Sequence, residues 1–575
     1  MNHGRSLRRS ALLVLSMLSA CAAAQPGGGG DMPAAPLTIG SAAAAQLIAR
    51  HAVAVGDMSE AAQAFDRLAK DAPNDSDLTR QAFLTNLLAG RPEALEFARQ
   101  LPQFQAAQML LADNDAGNGK WQQAEKRYSG LLRQGAVDVM RPLLMAWAAA
   151  GGGQYDQALA RLQPLMDGPR FRAVYILNAA MIADLAGKDD QAAGLYRRAE
   201  TEFGVPNLPM LRHEASFLAR HGQRPAAEAK LRAIAGTSEE MALALPGLLR
   251  TLDQRQIHNA RDGLAEVYTS FAAALRGQTN NDFATVLLRL ALNLDPQLTS
   301  ARLLAADIAL AAKQPDGALR MLAPVAADDP LLPLVLVRRA VILNGMGQTD
   351  QAVALLGEVA KAVPTLPDPL AMQGDMLRGK GRYDAAVAAY GRAIALVGTP
   401  KAANWPLFYN RAIALDRAHH WQQAEADLQQ ALALSPDQPY VLNYLGYSWI
   451  EHGRNLQQAR RMIERAAAQR PDDGAIADSL GWAVLRQGDV PGAVKQLERA
   501  SELEPNDATI TMHLGDAYWA AGRKLEAQFQ WRRAMTLNPE PGDEAKLEAK
   551  IAEGEKVLGT PAAAAEPSGT VNTMR

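Results

Sequence analysis

A 34-residue period near the carboxyl terminus limits the fold of this chain more than any other feature. Within residues 478–538 the same residue types recur at this spacing, in the pairs Leu480 and Leu514, Gly481 and Gly515, Ala493 and Ala527, and Ala500 and Ala534. A repeat of this length is typical of one helix-turn-helix unit. Because two antiparallel helices approach closely only where side chains are small, the recurring Gly and Ala predict the crossing points of a helical hairpin.

The alanine at the predicted crossing point, which we call the anchor of each hairpin, recurs along most of the chain. This recurrence predicts a stack of hairpins. In the carboxyl-terminal half the anchors are Ala284, Ala318, Ala352, Ala386, Ala424, Ala459, Ala493 and Ala527. Weaker anchors upstream are Ala61, Ala94, Ala124, Ala158, Ala192 and Ala226. Only 5% of the residues are aromatic, so the apolar content is mostly Ala and Leu, which are strong helix formers. We therefore predict an all-α solenoid of about fourteen helical pairs in two arrays.

The amino-terminal stretch has the pattern of an export signal. Three arginines within the first nine residues precede the apolar run 11–18, which is too short to span a bilayer. The next residues read Leu-Ser-Ala-Cys and end at Cys21, the only cysteine of the chain. This motif resembles the lipobox of bacterial lipoproteins, which implies cleavage before Cys21 and acylation of Cys21. A segment rich in Gly, Pro and Ala follows and predicts a flexible tether.

The resemblance to lipoproteins also bears on localisation. Ala22 follows the cysteine, whereas an Asp at that position tends to retain bacterial lipoproteins in the inner membrane. An outer-membrane lipoprotein that faces the periplasm is therefore expected. The alternative is an ordinary signal peptide cut near Ala23 or Ala24, which would release a soluble periplasmic protein.

The spacing of the anchor alanines divides the chain into segments. The interval between Ala226 and Ala284 is too long for one repeat, and a leucine-rich helical stretch followed by a polar stretch fills it. After the last repeat comes a charged helical pattern, which suits the polar cap that a solenoid needs. In chain order we predict a lipoprotein signal peptide, a tether, an amino-terminal degenerate array, an atypical helical connector, a carboxyl-terminal array, a capping helix and a disordered tail, at 1–20, 21–40, 41–235, 236–263, 264–540, 541–558 and 559–575.

The sequence contains fragments of catalytic motifs, but each of them lacks a required residue. The sequence His213-Glu214 has no second His at the metalloprotease spacing, and the Gly-rich turn at 117–120 is followed by Trp121 where a phosphate loop needs Ser or Thr. We predict no catalytic residue, no metal site and no cofactor. The net charge of -2 gives no reason to expect a nucleic-acid partner. An enzyme with an unrecognised site, for example within 236–263, is the alternative from a different class.

The repeat pattern resembles the tetratricopeptide repeat family, which implies that the predicted solenoid is a right-handed superhelix. In that family the first helix of each unit lines an inner wall, and set positions on it face a bound protein or peptide. The resemblance implies that the partner-binding residues of the last three units are Tyr440, Asn443, Tyr447, Asp478, Trp482, Met512, Asp516 and Trp519. Upstream the same count reaches Asp375, Arg378, Tyr409 and Asp416. Packing of the Trp residues between neighbouring first helices remains an alternative.

Three runs, at 441–450, 478–482 and 513–519, resemble a narrower group of large proteobacterial repeat lipoproteins. Members of that group act as outer-membrane adaptors that deliver clients, including peptidoglycan hydrolases, to a periplasmic carboxyl-terminal processing protease. The resemblance implies a non-enzymatic interaction scaffold or adaptor in maintenance of the cell envelope. The alternative within the same class is a structural subunit of an outer-membrane assembly complex.

Overall fold

The computed structural model describes residues 42–205, 208–276 and 281–553, and all regular structure within these ranges is helical. The first twelve α-helices are α1 Ala42–Ala54, α2 Met58–Asp71, α3 Ser76–Ala89, α4 Ala94–Arg99, α5 Gln105–Gly117, α6 Trp121–Ser129, α7 Ala136–Gly151, α8 Tyr155–Met166, α9 Arg172–Leu185, α10 Asp189–Phe203, α11 Leu208–Arg220 and α12 Arg224–Ala235. The single helix α13 Glu239–Arg250 follows.

The second half of the chain continues in the same manner. Its helices are α14 Ala260–Leu275, α15 Asn281–Leu294, α16 Thr299–Ala311, α17 Pro315–Leu322, α18 Leu332–Gly345, α19 Thr349–Ala362, α20 Asp368–Arg378, α21 Tyr383–Val397, α22 Trp405–Arg417, α23 Trp421–Leu434, α24 Pro439–Glu451, α25 Leu456–Gln469, α26 Gly474–Arg486, α27 Val490–Leu503, α28 Ala508–Ala520, α29 Lys524–Met535 and α30 Pro541–Glu553. A short 3-10 turn, Ala402–Asn404, precedes α22.

Consecutive helices pack as hairpins, six before α13 and eight after it. The helices α13 and α30 are the two in the described ranges that stand outside this pairing. Each hairpin contacts the next one along the chain, as in a solenoid. The predicted all-α solenoid of about fourteen helical pairs is therefore confirmed.

Local sequence explains where many helices begin. Asp and Asn side chains accept hydrogen bonds from the first backbone amides of a helix, which satisfies donors that have no partner within the helix. Residues that act in this way are Asp57, Asp75, Asn259, Asp473, Asp489 and Asp507. The turns within the last two hairpins contain Gly488 and Gly522, whose φ angles of 89° and 77° favour glycine.

The crossing points of the hairpins carry the predicted small residues. In the carboxyl-terminal hairpins all eight anchor alanines have no exposed surface. In four of these hairpins, a glycine on the facing helix admits the large side chain that lies four residues after the anchor. A Cβ atom on Gly481 would fall 2.6 Å from Leu497 Cγ, and one on Gly446 would fall 2.8 Å from Ile463 Cγ1. The 34-residue pattern thus records close helix–helix contact.

One anchor was assigned to the wrong residue. Ala226 is exposed, and the adjacent Ala227 is the buried residue at the crossing of α11 and α12. Neighbouring residues on a helix point about 100° apart, so only one of them can face the partner helix. Spacing alone could not choose between two consecutive alanines in a degenerate repeat.

Enlarging a true anchor is expected to destabilise the protein. Ala493→Leu should lower the free energy of unfolding by about 1–3 kcal/mol, because the added atoms must enter a filled crossing. Ala226→Leu is the matched control and should change it by less than about 0.5 kcal/mol, because Ala226 is exposed. Urea denaturation followed by circular dichroism measures both. Equal losses in the two variants would contradict the assigned register.

The helix α13 connects hairpins on both of its sides. It contacts α12 and also α18, more than eighty residues further on. Gly247 lies so close to the backbone of Pro330 that a Cβ atom would fall 2.1 Å from the Pro330 carbonyl oxygen. Arg250 donates a hydrogen bond to the carbonyl of Asp328 at 3.1 Å. The predicted connector region therefore holds a helix that packs on two distant parts of the chain.

The hairpin α14–α15 folds back onto the early part of the chain. The helix α14 contacts α7 and α9, and α15 contacts α3 and α5. Tyr268 on α14 donates its hydroxyl to Asp113 Oδ1 at 2.9 Å, across 155 residues of sequence, and Tyr128 donates to the same oxygen at 2.5 Å. One cluster of buried apolar residues extends from Phe83 to Leu331. The two predicted arrays therefore share a core across 236–263.

Several predictions fall on residues without a described structure. Cys21, the signal peptide 1–20, the tether 21–40 and the tail 559–575 lie outside the described residues, as do the last five residues of the predicted capping helix. The helix α30 packs against α29 and covers the first part of that segment. Among the described residues, no helix combines the length and the apolar character needed to cross a bilayer.

Candidate protein-binding surface

The structure places the eight predicted partner-binding residues on the first helices of the last three hairpins, α24, α26 and α28. Five of them are buried, namely Asn443, Tyr447, Asp478, Met512 and Asp516. The other three, Tyr440, Trp482 and Trp519, are half-buried. The expected open wall is therefore largely closed at this end of the solenoid. Partner binding by these eight residues stays a prediction.

A polar network joins the buried residues of α24, α26 and α28. Asn443 donates to the hydroxyl of Ser479 at 3.2 Å. His513 lies against the carboxylate of Asp478, with Nδ1 at 3.0 and 2.9 Å from its two oxygens. The ring of Trp482 stacks on His513, with centroids 4.2 Å apart and an interplanar angle of 16°. Because buried polar groups need partners, these contacts fix how successive first helices align.

A second part of the network surrounds α28 and α30. Asp516 accepts a hydrogen bond from Trp531 Nε1 at 2.9 Å and forms an ion pair with Lys550 of α30. Trp519 lies beside Trp531, with ring centroids 5.3 Å apart. The ammonium group of Lys524 lies over the ring of Trp519. These contacts account for the burial of Asp516, because α30 occupies the place next to α28 that a further first helix would take.

The amino-terminal end of α30 reaches back to earlier hairpins. Arg417, at the end of α22, makes two hydrogen bonds to Glu540, at 2.9 and 3.1 Å across 123 residues of sequence. Asp543 is close enough to Tyr447 to act electrostatically on its hydroxyl. Burial is the main reason that the pKa of Tyr447 lies well above its usual range. The approach of α30 to α22 and α24, together with the contacts between neighbouring first helices, closes the predicted wall here.

The protonation of His513 links this network to pH. Burial, the largest influence, disfavours the charged imidazolium, but Asp478 and two further carboxylates outweigh it and raise the pKa of His513 above 6.5. A His pKa that is raised on folding means that the folded state binds the proton more tightly than the unfolded state. Its stabilising contribution is therefore complete below pH 6.5 and is lost as pH rises through the folded-state pKa.

The pH effect can be measured against a matched variant. The free energy of unfolding of the wild type should fall, relative to that of His513→Gln, as pH rises from about 6 to about 9. Several buried carboxyl groups also titrate, so only the difference between the two proteins reports His513. His51→Gln, which changes an exposed histidine, should retain the wild-type profile. Parallel profiles for wild type and His513→Gln would contradict a charged His513.

One position of the first helix shows where the solenoid remains open. We define the inner series as the residues at this position in successive first helices, which are Asp307, Val341, Asp375, Tyr409, Tyr447, Trp482, Asp516 and Lys550. Val341 is 40% exposed, and the side chain of Asp375 is 47% exposed. From α22 onward the series is buried or half-buried. The accessible part of the inner series therefore lies on α18 and α20.

A cavity of about 300 Å³ adjoins this open part, between α11, α13, α14, α16 and α18. Leu334 and Val337 contribute apolar side chains to it. Its charged groups form a chain of ion pairs, in which Arg338 contacts Asp307 at 3.1 Å and Glu240 at 3.2 Å. An apolar centre with a polar rim is the usual anatomy of a surface that binds another protein. We call this cavity with Val341 and Asp375 the α18 surface.

Two ionisable groups near the cavity have pKa values that burial shifts. Glu266 borders the cavity, and burial raises the pKa of its carboxyl group, while burial lowers the pKa of neighbouring His213 to about 3. Their closest atoms are 3.8 Å apart, and burial disfavours the charged form of each group. Within residues 42–205, 208–276 and 281–553, no three His, Cys, Asp or Glu side chains converge in a way that could hold a metal ion.

Sequence reasoning missed two residues of the α18 surface, Asp307 and Val341. Asp307 lies two repeats before Asp375, and Val341 lies one repeat before it. The repeat count in the sequence analysis had already reached Asp375. Extending the 34-residue spacing upstream would have found both. The ion pairs of Arg338 have no such signal, because Glu240 belongs to α13, outside the repeat.

Comparisons with known proteins agree with the hairpin architecture. A family model described as tetratricopeptide repeat matches residues 409–474, 453–500 and 479–535. None of the curated proteins matches the sequence. Among similar solved structures, a tetratricopeptide repeat protein from Parabacteroides merdae is 14% identical, with 45% of this chain and 97% of that chain covered and a TM-score of 0.36.

Two longer structures are similar over more of the chain. The APC/C hetero-tetramer Cut9–Hcn1 is 14% identical over 88% of this chain and 96% of that chain, with a TM-score of 0.36. Yeast Tom70 is 14% identical over 78% and 95%, with a TM-score of 0.33. The family model thus covers residues 409–535, the segment that contains the buried Ala and Gly crossings of α22 to α29, and this segment is similar to the tetratricopeptide repeat family.

Proposed function

We propose that this protein is a non-enzymatic scaffold or adaptor that binds a partner protein or an extended peptide on the α18 surface. Tetratricopeptide repeats are protein-interaction scaffolds, which supports this class of function. The observation that carries the proposal is the exposure of the inner series, which is high at Val341 and Asp375 and low from α22 onward.

The chemistry of the surface indicates the kind of segment that it accepts. The cavity, of about 300 Å³, has room for an apolar side chain, and its walls include Leu334 and Val337. Alternating charges at its rim, with Arg338 between Asp307 and Glu240, suit backbone amides and carbonyls of an extended peptide. Since the rim contains both signs of charge, a strongly acidic or strongly basic partner is not favoured.

Site-specific photo-cross-linking in intact cells tests this surface. A photoreactive amino acid at Val341 or at Asp375 should capture the same partner. The same probe at Lys495, which is exposed on the second helix α27, should not capture it. Val341→Arg should abolish capture from Asp375, because the new side chain covers the cavity mouth. Equal capture at Lys495, or none at the two inner positions, would contradict the proposal.

We further propose, from the lipobox-like motif, that acyl chains on Cys21 anchor the protein in the outer membrane, facing the periplasm. More than one acyl chain makes such anchoring stable, at about 0.8 kcal/mol for each buried methylene. Labelling with radioactive palmitate should mark the wild type and not Cys21→Ser. An unlabelled wild type that is secreted into the periplasm would support the ordinary signal peptide instead.

The resemblance of 441–450, 478–482 and 513–519 to adaptor lipoproteins supports a finer proposal. In it, the captured partner is a client such as a peptidoglycan hydrolase, and the protein delivers that client to a periplasmic carboxyl-terminal processing protease. The half-life of the client should then increase when the scaffold is removed. Capture of outer-membrane assembly proteins, with unchanged client turnover, would favour the alternative role as an assembly subunit.

A further inference from the structure

A second cavity, of about 570 Å³, lies at the seam where α15 folds back onto the early hairpins. The end of α3, the helix α5, the start of α14 and the region from α15 to α16 contribute to its wall. Four arginines line it, namely Arg91, Arg261, Arg289 and Arg302. Its volume lies within the range of small-molecule sites, about 300–1,000 Å³. It is separate from the α18 surface and does not share its lining residues.

Two of the arginines differ in how their charge is balanced. Arg91 forms ion pairs with Asp66 at 3.1 Å and with Glu93 at 2.9 Å. Arg302 instead donates its hydrogen bonds to backbone carbonyls, at distances of 2.6–3.2 Å, and makes no ion pair in the described chain. Backbone carbonyls satisfy its N–H groups but do not neutralise its charge, so no carboxylate in direct contact balances Arg302 and only the more distant Asp295 acts on it.

Arg289 is the least satisfied of the four. Its Nε atom is buried and has no hydrogen-bond partner among the described residues, and no carboxylate in those ranges pairs with it. The guanidinium lies against Gly90, where a Cβ atom would fall 1.2 Å from Nη2, so this approach requires glycine. Burial and the nearby charge of Arg302 lower the pKa of Arg289. Two desolvated cations of like charge are thus held next to each other.

The acids near the cavity do not cancel this charge. Asp295 acts on Arg302 and Arg261 only at a distance, and burial raises its own pKa. Asp113 lines the cavity, but it accepts hydrogen bonds from two tyrosines, and burial raises its pKa to about 7. Its carboxyl group is therefore largely protonated in mildly acidic solution. The cavity consequently retains a net positive charge when it holds no anion.

We propose that this cavity binds a small molecule with two or more oxyanion groups, either phosphates or carboxylates, between Arg289 and Arg302 with Arg261 at the mouth. Guanidinium groups recognise both kinds of oxyanion through paired N–H···O bonds, which are strong where water is excluded. An anion would neutralise these two half-buried cations and would supply the missing partner of Arg289 Nε.

Titration calorimetry and thermal unfolding of the full chain test the proposal, with pyrophosphate, citrate and a hexaglutamate peptide as probes. Pyrophosphate or citrate should bind with one-to-one stoichiometry and raise the melting temperature. Arg289→Gln and Arg302→Gln should each weaken binding about tenfold or more, as expected for loss of a charged hydrogen-bond donor. Arg133→Gln, which removes an exposed arginine elsewhere, is the matched control and should bind normally.

Two further results separate binding from a structural role. Without ligand, Arg289→Gln should melt at the wild-type temperature or above it, because an uncompensated buried cation is removed. Arg261→Glu changes only an exposed residue at the mouth and should weaken binding about tenfold while the unliganded protein remains equally stable. The proposal is overturned if neither small anion binds, if hexaglutamate binds more tightly than both, or if Arg261→Glu leaves their affinity unchanged.

Discussion

Trp531→Ala is expected to lower the free energy of unfolding by about 3–5 kcal/mol, among the largest losses that one substitution in this chain can cause. The indole has no exposed surface and fills the crossing of α28 and α29. Gly515 is glycine for this reason, because a Cβ atom there would fall 2.5 Å from the indole Cδ1. The substitution also removes the hydrogen bond from Nε1 to the buried Asp516, which adds to the loss.

Phe529→Ala is the matched control for Trp531→Ala. It removes an aromatic ring from the same helix, but Phe529 is 65% exposed, so the change should stay within about 0.5 kcal/mol. Urea denaturation followed by circular dichroism gives the difference, and hydrogen exchange of the α28 amides shows whether the loss is local. A loss for Phe529→Ala as large as that for Trp531→Ala would mean that α29 is rotated about its axis.

Gly263→Leu is the second substitution with a large expected effect, a loss of at least about 3 kcal/mol. Gly263 lies in α14, and a Cβ atom there would fall 2.3 Å from the ring of Trp147 in α7. Trp147 has no exposed surface and donates Nε1 to Asn178 at 2.9 Å, so the ring cannot move aside. The prediction therefore tests directly whether α14 folds back onto the early hairpins.

Gly194→Leu provides the opposite outcome at a comparable residue. Gly194 is also inside a helix, α10, but nothing lies within 4 Å of a Cβ atom built there. Leucine has a higher helix propensity than glycine, so this variant should gain about 0.5–1 kcal/mol. Thermal and urea unfolding of both variants measure these changes in the free energy of unfolding. If Gly263→Leu is as stable as the wild type, then α14 does not pack on Trp147.

Several features of the fold could be predicted from the sequence because they are local and periodic. The crossing residues Gly481, Ala493 and Leu497 are required within a single hairpin, so their types recur wherever the hairpin recurs. The register failed at Ala226, where two alanines are adjacent and the repeat is degenerate. Predicted wall residues such as Asp478 and Asp516 were placed on the correct helices but not at an open surface.

The crossing residues could be predicted and the open surface could not, because the curvature of a solenoid is not a property of one repeat. Small rotations between hairpins add up along the chain and decide which distant elements meet. They bring Glu540 to Arg417 and thereby close the inner series, and they bring Tyr268 to Asp113. Neither pair shares a spacing with the repeat, so no period in the sequence could indicate it.

By itself, the sequence determined the helical hairpin, its small crossing residues and the number of repeats, because these depend on contacts within about one period. Only the tertiary structure decided which surfaces remain open. It left Val341 and Asp375 accessible, buried Asn443 and Asp478 among neighbouring first helices, and placed Arg289 beside Arg302 at a seam. Those outcomes depend on contacts between distant hairpins, whose positions follow from the summed geometry of every repeat between them.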